Sequence, residues 1–311
     1  MRPAPSVILL TTLCGAGQGV LLGLAFASFM SPAEKISPSF VLGAIAIAGL
    51  LNVLGLIASF FHLGHPERAW RAATMWRTSW LSREVIALPV FVASLAMLGW
   101  ANLWAPEIAS PLLWVAVLLC FVLYVCTGMI YASLRFLQEW ATPLTVINFI
   151  LMGSSMGCAI ITLMASVLAP DLVQQFVSLT TGLVLIAGIG RLTSLRRNRY
   201  IRAKSTVKSA TGISQNNVKL KFQGFMGAAF AHREFSHGQT RVLVRIVKWA
   251  FLLLAFTLPL LLLLLLQALP LNMTLILSLV CISQFLGQLA ERWYFFAEAK
   301  HPQNLYYEAI A

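Results

Sequence analysis

The chain has 311 residues, of which 59% are hydrophobic and only 10% are charged. A soluble domain carries about 25% charged residues, so this composition excludes an ordinary soluble protein and indicates an integral membrane protein. The 22 Lys and Arg residues outnumber the 10 Asp and Glu residues, which gives a net charge of +12. We attribute the basic excess to membrane lipid and to a docking partner, and we expect no nucleic-acid partner.

Eight apolar runs are long enough to cross a bilayer as helices, which takes about 20 residues each. The runs cover residues 6–30, 39–61, 84–104, 111–134, 143–168, 172–190, 244–268 and 271–290. None shows the strict alternation of a barrel strand, and a helix satisfies its own backbone polar groups in lipid. The predicted fold class is therefore all-α, with residues 1–311 forming one polytopic membrane domain, a bundle of eight transmembrane helices.

The first run has an alternative interpretation as a signal peptide. Its charged start holds only Arg2, and its apolar stretch is longer than the roughly 7–15 residues of such signals. We therefore expect residues 6–30 to be retained as a span.

Basic residues are distributed very unequally between the two faces that eight spans create. Of the 22 Lys and Arg residues, all except Lys35 fall in the termini, in the even-numbered loops or at the helix ends next to them. By the positive-inside rule, this basic face is cytoplasmic. We therefore expect a multi-pass protein of a bacterial inner membrane with both termini in the cytoplasm.

The basic face also carries the longest connection, a loop over residues 191–243. Its segment "GFMGAAFAHREFSHG" at 224–238 is neither low-complexity nor purely basic. We therefore expect this loop to dock a partner, although basic loops also meet anionic lipid headgroups.

A second connection on the basic face, over residues 62–83, is rich in tryptophan. Ala69, Ala73, Trp76 and Trp80 recur there at helical spacing. This pattern predicts an interfacial amphipathic helix with its tryptophans at headgroup depth.

The spans are nearly free of ionisable residues near their centres, which argues against an ion-coupled transporter. Gln18 and Asn148 are the notable polar residues, and a hydrogen bond between helices explains each of them. The five His fall at helix ends or in loops, and the five Cys form no CxxC pair. We therefore expect no haem, no iron–sulfur cluster and no metal held by this chain.

Titratable residues gather where the second span ends and the third begins, starting with the segment "FHLGHPERAW" at 61–70. His62 lies where the second span leaves the membrane, and Glu84 lies where the third span begins. Both helix ends are on the basic face, so an imidazole and a carboxylate are expected at similar depth on neighbouring antiparallel helices. Such a pair is suited to accepting protons, and Arg68 could orient the carboxylate.

The same residues also have an ordinary structural interpretation. Ser82 as N-cap with Glu84 in the first turn is common helix-start chemistry. His62 followed by Gly64 is a common way for a helix to stop. On spacing alone, both interpretations stay open.

The segments "HLGHPERAW" at 62–70 and "LSRE" at 81–84 resemble the H-L-G-x-P-x-R-A and S-R-E signatures of the DmsC family. This family comprises the membrane anchor subunits of dimethyl sulfoxide reductase-like molybdenum enzymes. Further resemblance lies in "MIYASLRFLQEWATPLTVINFILMG" at 129–153, in 224–238 and in "ERWYFFAEAKHPQNLYY" at 291–307. Together with the length and the eight spans, the resemblance covers essentially the whole chain.

The resemblance implies a function and a site. A DmsC-like anchor holds no metal or haem and binds a molybdopterin catalytic subunit through a four-cluster ferredoxin-like iron–sulfur subunit. It exchanges electrons with a quinone, menaquinol in the first interpretation, near the docking face. The residues that the family uses map to His62, Gly64, Arg68 and Glu84, whereas His65 occupies a variable position of the motif.

The resemblance and the residues together give a catalytic hypothesis. His62 and Glu84 are the catalytic pair that handles the protons of the quinol. Arg68 poises Glu84, and Gly64 lets the quinone ring or a backbone approach closely.

The charge asymmetry bears on the physiological substrate. The resemblance implies periplasmic catalytic subunits for several DmsC-like anchors, whereas the basic face predicts a cytoplasmic position for this one. A second branch of the family serves cytoplasmic sulfite-oxidising enzymes that reduce quinone. Menaquinol oxidation for dimethyl sulfoxide reduction and quinone reduction by a sulfite dehydrogenase therefore both stay open.

A multi-span transporter or a pure scaffold is a further alternative from a different class. A transporter is expected to show internal repeats and broken helices with polar groups at the midplane. Pro89 and Pro259 lie within spans but without accompanying charge, and we find no convincing repeat.

Overall fold

The computed structural model describes residues 3–31, 36–61, 63–202, 204, 206–214 and 240–300. Within these ranges, eight helical segments are long and apolar enough to cross a membrane, which confirms the predicted all-α bundle. His62, the segment at 224–238 and the residues after 300 lie outside the described ranges, so the expectations that concern them stay predictions.

The long helices follow one another along the chain with mostly short connections. They are α1 (Pro5–Met30), α2 (Pro38–Phe60), α3 (Trp80–Trp104), α4 (Pro106–Ala132), α5 (Pro143–Leu168), α6 (Val173–Arg199), α8 and α9 of the seventh span (Arg241–Leu252 and Leu258–Ala268) and α10 (Met273–Glu298). A short helix, α7 (Val207–Thr211), follows α6, and 3-10 helices cover Pro66–Ala73 and Pro170–Leu172. Proline begins α1, α2, α4 and α5, where its missing N–H removes no helical hydrogen bond.

Helices α1 and α5 form the centre of the bundle and pack very closely. About 72% of the apolar window of α1 and 67% of that of α5 are buried, which exceeds the buried share of every other described span. Gly19 on α1 lies against Gly153 and Gly157 on α5, and a side chain at any of these positions would meet backbone. Small residues allow such close approach of two helices in lipid, where packing rather than water drives association.

Hydrogen bonds from two buried amides tie the central helices to their neighbours. The Gln18 Nε2 of α1 donates to the Cys120 carbonyl of α4 at 3.0 Å. The Asn148 Nδ2 of α5 donates to the Ser194 hydroxyl of α6 at 2.7 Å. These bonds confirm the structural interpretation of the two polar residues within the spans.

The seventh span contains a π-helical turn, Leu253–Thr257, between α8 and α9. In such a turn the N–H of Pro259 would be the donor for the Leu254 carbonyl, but proline has no N–H. The Ser283 hydroxyl of α10 donates to that carbonyl at 2.7 Å instead. A neighbouring helix thus satisfies the irregular backbone, as lipid surroundings require.

Helix α3 begins earlier than its apolar run indicates. Its first residue is Trp80 and its N-cap is Ser79, whose hydroxyl oxygen accepts from the Ser82 N–H at 3.3 Å. The expectation that Ser82 is the N-cap is therefore wrong, because the first turn uses residues that a hydropathy pattern does not count. Glu84 consequently lies one turn inside the helix.

The predicted amphipathic helix of the 62–83 connection is present only in its first part and is a 3-10 helix, not one helix that reaches Trp76 and Trp80. Residues Pro66–Ala73 form a 3-10 helix, turns follow, and Trp80 belongs to α3. The Arg83 side chain donates to the carbonyls of Trp76 and Arg77 at 2.9 Å each. Because the Arg83 side chain donates to these carbonyls, they do not require the backbone hydrogen bonds that a helix would supply.

Replacing Gly157 with Leu is expected to force α1 and α5 apart, because the new side chain meets the Gly19 backbone. Overpacking of this kind costs about 1–3 kcal/mol. We expect the thermal-unfolding midpoint of the detergent-purified protein to fall by several degrees. The control is Gly182→Leu on α6, where nothing lies within 4 Å of an added Cβ; equal midpoints for the two variants would contradict the proposed contact.

Candidate functional site

Glu84 lies at the end of α3 that faces the basic side of the protein. Its carboxylate accepts a hydrogen bond from the Thr127 hydroxyl on α4. The residue is half-buried, and no ion pair within the described part of the chain includes it. A carboxylate without a fixed cation can take up and release a proton more readily than one held in an ion pair.

A small cavity lies on the inner side of Glu84, among α1, α3, α4, α5 and α10. Its polar lining consists of Thr11, Gln18, Glu84, Tyr124, Thr127, Gln288 and Arg292. Its volume of about 10 Å³ is enough for about one water molecule and far too small for an aromatic ring. Glu84 therefore connects the end of the bundle to a polar interior.

Two arginines and two glutamates form a buried ion cluster beside this cavity. Arg191 Nε lies 2.6 Å from Glu291 Oε1, and Arg191 Nη2 lies 3.4 Å from Glu298 Oε2. Arg292 Nε lies 3.4 Å from Glu291 Oε2. Arg191, Glu291 and Arg292 have side chains that are at most 5% exposed. Equal numbers of opposite charges offset part of the desolvation that burial costs.

Arg292 joins the ion cluster to the cavity beside Glu84. Its guanidinium lies over the Phe149 ring at 3.9 Å from the centroid, and its Nη2 lies 3.6 Å from Met152 Sδ. The same side chain lines the cavity on the inner side of Glu84. The aromatic and sulfur contacts fix the guanidinium and complete its solvation inside the bundle.

The ion cluster is the main feature of this region that sequence reasoning missed. The predicted spans end just before Arg191 and Glu291, so the charges of the cluster counted as surface charges. Helices α6 and α10 instead continue to Arg199 and Glu298. A signal was present in the sequence, because Glu291 and Glu298 lie two helical turns apart and the aromatic run between them is typical of a buried helix.

The connection between α2 and α3 holds the other predicted site residues. His62 lies outside the described residues, and an added Cβ at Gly64 would have nothing within 4 Å. Arg68 is exposed, and its Nε lies 3.8 Å from Glu67 Oε1. Arg68 forms no ion pair with Glu84, whose hydrogen-bond partner is Thr127 on α4.

Glu67 and the tryptophans shape the surface of the same connection. His65 Nδ1 lies 3.1 Å from Glu67 Oε1, so the variable histidine of the motif shares the carboxylate with Arg68. Trp70 and Trp76 are exposed, and the Arg83 guanidinium lies over the Trp80 ring at 4.1 Å from its centroid. Exposed tryptophans beside arginines are typical of a segment at headgroup depth.

Eight long apolar helices define the class of this chain, a multi-pass integral membrane protein. The candidate proton-accepting site is the polar region around Glu84 at one end of the bundle. A family model described as DMSO reductase anchor subunit (DmsC) matches residues 2–307. The chain therefore belongs to the DmsC family, which confirms the resemblance of its motifs.

A curated relative adds to this assignment. The chain is 43% identical to the C subunit of the sulfite dehydrogenase of Allochromatium vinosum over 331 aligned residues, and the alignment covers 100% of both chains.

Replacing Arg191 with Leu leaves Glu291 and Glu298 without the cation that contacts both of them. Removing one partner of a buried ion pair costs about 3–5 kcal/mol, so we expect a large fall in the thermal-unfolding midpoint. Adding Glu291→Leu should restore part of this loss, because one buried charge of each sign is then removed. Additive losses in the double variant would contradict the coupling of the cluster.

Proposed function

We propose that this anchor subunit is quinone-reactive and exchanges electrons between the quinone pool and an iron–sulfur subunit, which connects it to a molybdopterin catalytic subunit. The observation that carries the proposal is the half-buried Glu84 carboxylate, which accepts a hydrogen bond from Thr127 and has no ion-pair partner within the described residues. Buried acids are mostly paired, so an unpaired one at a membrane boundary is a candidate for proton transfer. Membership of the DmsC family supports the anchor role.

The chemistry requires proton acceptors beside the ring. Oxidation of a quinol gives a quinone, two electrons and two protons, and the reverse reaction takes them up again. In the proposal, Glu84 exchanges a proton with one ring oxygen, and His62, which follows α2 in the sequence, serves the other. The two electrons pass to or from the nearest cluster of the iron–sulfur subunit, which therefore docks on the basic face over the α2–α3 connection.

The approach of the ring follows from the space around Glu84. The inner cavity of about 10 Å³ has no room for a ring, so the quinone reaches Glu84 from the side of the α2–α3 connection. The open space at Gly64 supports this direction of approach. Arg68 is paired with Glu67, so a contribution of Arg68 to quinone binding is made from the surface of the connection and not through Glu84.

Polar groups behind Glu84 supply a place for the transferred proton. The cavity holds the hydroxyls of Thr127 and Tyr124 and the amides of Gln18 and Gln288. A single water there can hydrogen-bond several of these groups, which is the condition for an ordered buried water. Because these groups are polar, they can solvate the Glu84 side chain in both of its protonation states.

Quinone reduction with electrons from sulfite is the direction that we favour over menaquinol oxidation for dimethyl sulfoxide reduction. The relative with 43% identity over the whole chain is named as part of a sulfite dehydrogenase. In addition, the eight-span prediction assigns every Lys and Arg except Lys35 to the face of the termini. The positive-inside rule favours a cytoplasmic position for that face, and the proposal puts the docked subunits on the same side.

Replacing Glu84 with Gln is expected to lower quinone turnover by roughly 10²-fold or more, because the amide keeps the size of the side chain but cannot accept the proton. The measurement is steady-state electron transfer between a quinone and the complex in isolated membranes, normalised to the amount of assembled complex. The matched control is Glu67→Gln, which removes an exposed carboxylate of the neighbouring connection. Wild-type turnover in the Glu84 variant would exclude Glu84 from the reaction.

The favoured direction is tested on the purified complex with all of its subunits. We expect sulfite-dependent reduction of a quinone analogue to exceed quinol-dependent reduction of dimethyl sulfoxide by at least about ten-fold. The opposite ratio would favour the dimethyl sulfoxide alternative. Activity in neither assay, from a complex that contains the two partner subunits, would argue for another terminal substrate.

A further inference from the structure

A large cavity opens on the basic face, well apart in its lining from the Glu84 site. We call it the basic cleft; it has a volume of about 890 Å³ and lies between α6, α8, α10 and the α4–α5 connection. Its cationic lining consists of Arg135, Arg196, Arg199, Lys204, Lys248 and Lys300. Its acidic lining consists of Glu139 and Glu298, and Glu298 already contacts Arg191.

The basic cleft has more cations than acids in its described lining, six against two. None of the six forms an ion pair with an acid among the described residues. Long cationic side chains that converge on one cavity repel each other unless an anion joins them. The lining therefore favours a ligand with a negative charge.

The walls of the basic cleft are firmly built. Both terminal nitrogens of Arg197 on α6 lie 3.1 Å from the Gln138 carbonyl, to which they donate. The Trp140 Nε1 donates to the Phe295 carbonyl of α10 at 3.0 Å. These bonds hold the α4–α5 connection against α6 and α10, so the cavity between them is a feature of the fold and not of a loose loop.

The basic cleft continues into the apolar outer surface of the bundle. Leu192 on α6 and Trp249 on α8 line the cleft, and both are more than half exposed. On α6, the exposed Leu185 and Ile189 precede Leu192 at helical spacing toward the membrane interior. On the seventh span, the exposed Leu253 follows Trp249 one turn further inward.

Cations at the top and apolar faces below match the two parts of one class of molecule. A phosphodiester fits among arginines and lysines, and acyl chains fit along helices that expose leucine and isoleucine. Trp249 and Tyr200, which also line the cleft, have the amphipathic rings that favour the headgroup region. A free phosphate or an acidic protein loop would contact only the cations, whereas a phospholipid contacts both the cations and the apolar surface that continues from them.

We propose that the basic cleft is a binding site for an anionic phospholipid. The phosphodiester lies among the six cations, and the acyl chains lie along the exposed apolar surfaces of α6 and the seventh span. The site selects for headgroup charge and does not depend on the proposed quinone chemistry.

The test measures phospholipid retained by the purified complex. The complex is delipidated in detergent, titrated with mixed micelles of phosphatidylglycerol or phosphatidylcholine, and analysed by native mass spectrometry and by its thermal-unfolding midpoint. We expect phosphatidylglycerol to bind at least about ten-fold more tightly than phosphatidylcholine and to raise the midpoint. The variant Arg196→Gln/Arg199→Gln/Lys248→Gln should lose at least about ten-fold in affinity for phosphatidylglycerol, because each cation near an anionic headgroup contributes about 1 kcal/mol.

A matched variant separates a site from a diffuse charge effect. Arg71→Gln/Arg77→Gln/Lys208→Gln removes the same charge from the basic face outside the cleft, and it should bind phosphatidylglycerol as the wild type does. Equal losses in the two triple variants would overturn the proposal. So would equal stabilisation by inorganic phosphate, which would indicate a site for a simple anion. Loss of a partner subunit from the cleft variant with unchanged lipid binding would indicate a protein-docking surface and would also overturn it.

Discussion

The chemistry proposed for this structure depends on the Glu84 carboxylate, which lies at the end of an apolar helix bundle and has no ion-pair partner among the described residues. Insertion of an ionised acid at the centre of a membrane helix costs about 2.5–3.5 kcal/mol on biological scales, and less near the interface. Glu84 meets that cost with one hydrogen bond from Thr127 and a neighbouring polar cavity. In the proposed function, a quinol bound beside this carboxylate exchanges a proton with it.

The buried ion cluster shows the contrasting arrangement a short distance away. Arg191, Glu291, Arg292 and Glu298 neutralise each other in pairs, so their charges are fixed and serve the joining of α6 to α10. Glu84 is left outside these pairs, although Arg292 borders its cavity. Among the described residues, the paired charges hold helices together, whereas Glu84 forms no ion pair and is the acid to which the proposal assigns proton transfer.

Much of this architecture follows from hydropathy and charge, and the parts that do not follow have identifiable causes. Eight apolar runs and the asymmetry of Lys and Arg predict eight helices and their orientation, because lipid admits few alternatives. A hydropathy prediction ends a span at the first charged residue. It therefore ended the sixth span directly before Arg191 and the eighth span directly before Glu291, and it assigned the charges of the ion cluster to the surface. Pairing between residues far apart in sequence leaves no local pattern, and the same is true of the bond from Thr127 to Glu84. One hydrogen bond makes Ser79 and not Ser82 the N-cap. The sequence alone does not show which of these two nearby serines accepts that bond.

The central claim is that quinone binds against Glu84, and binding of a fluorescent quinol analogue tests it without any assumption about substrate or direction. Purified complexes are titrated with a hydroxyquinoline N-oxide, and the quenching of its fluorescence gives the dissociation constant. The account predicts saturable binding to the wild type and to the Glu67→Gln complex, and a loss of about ten-fold or more in the Glu84→Gln complex. Unchanged binding in the Glu84→Gln complex would contradict it.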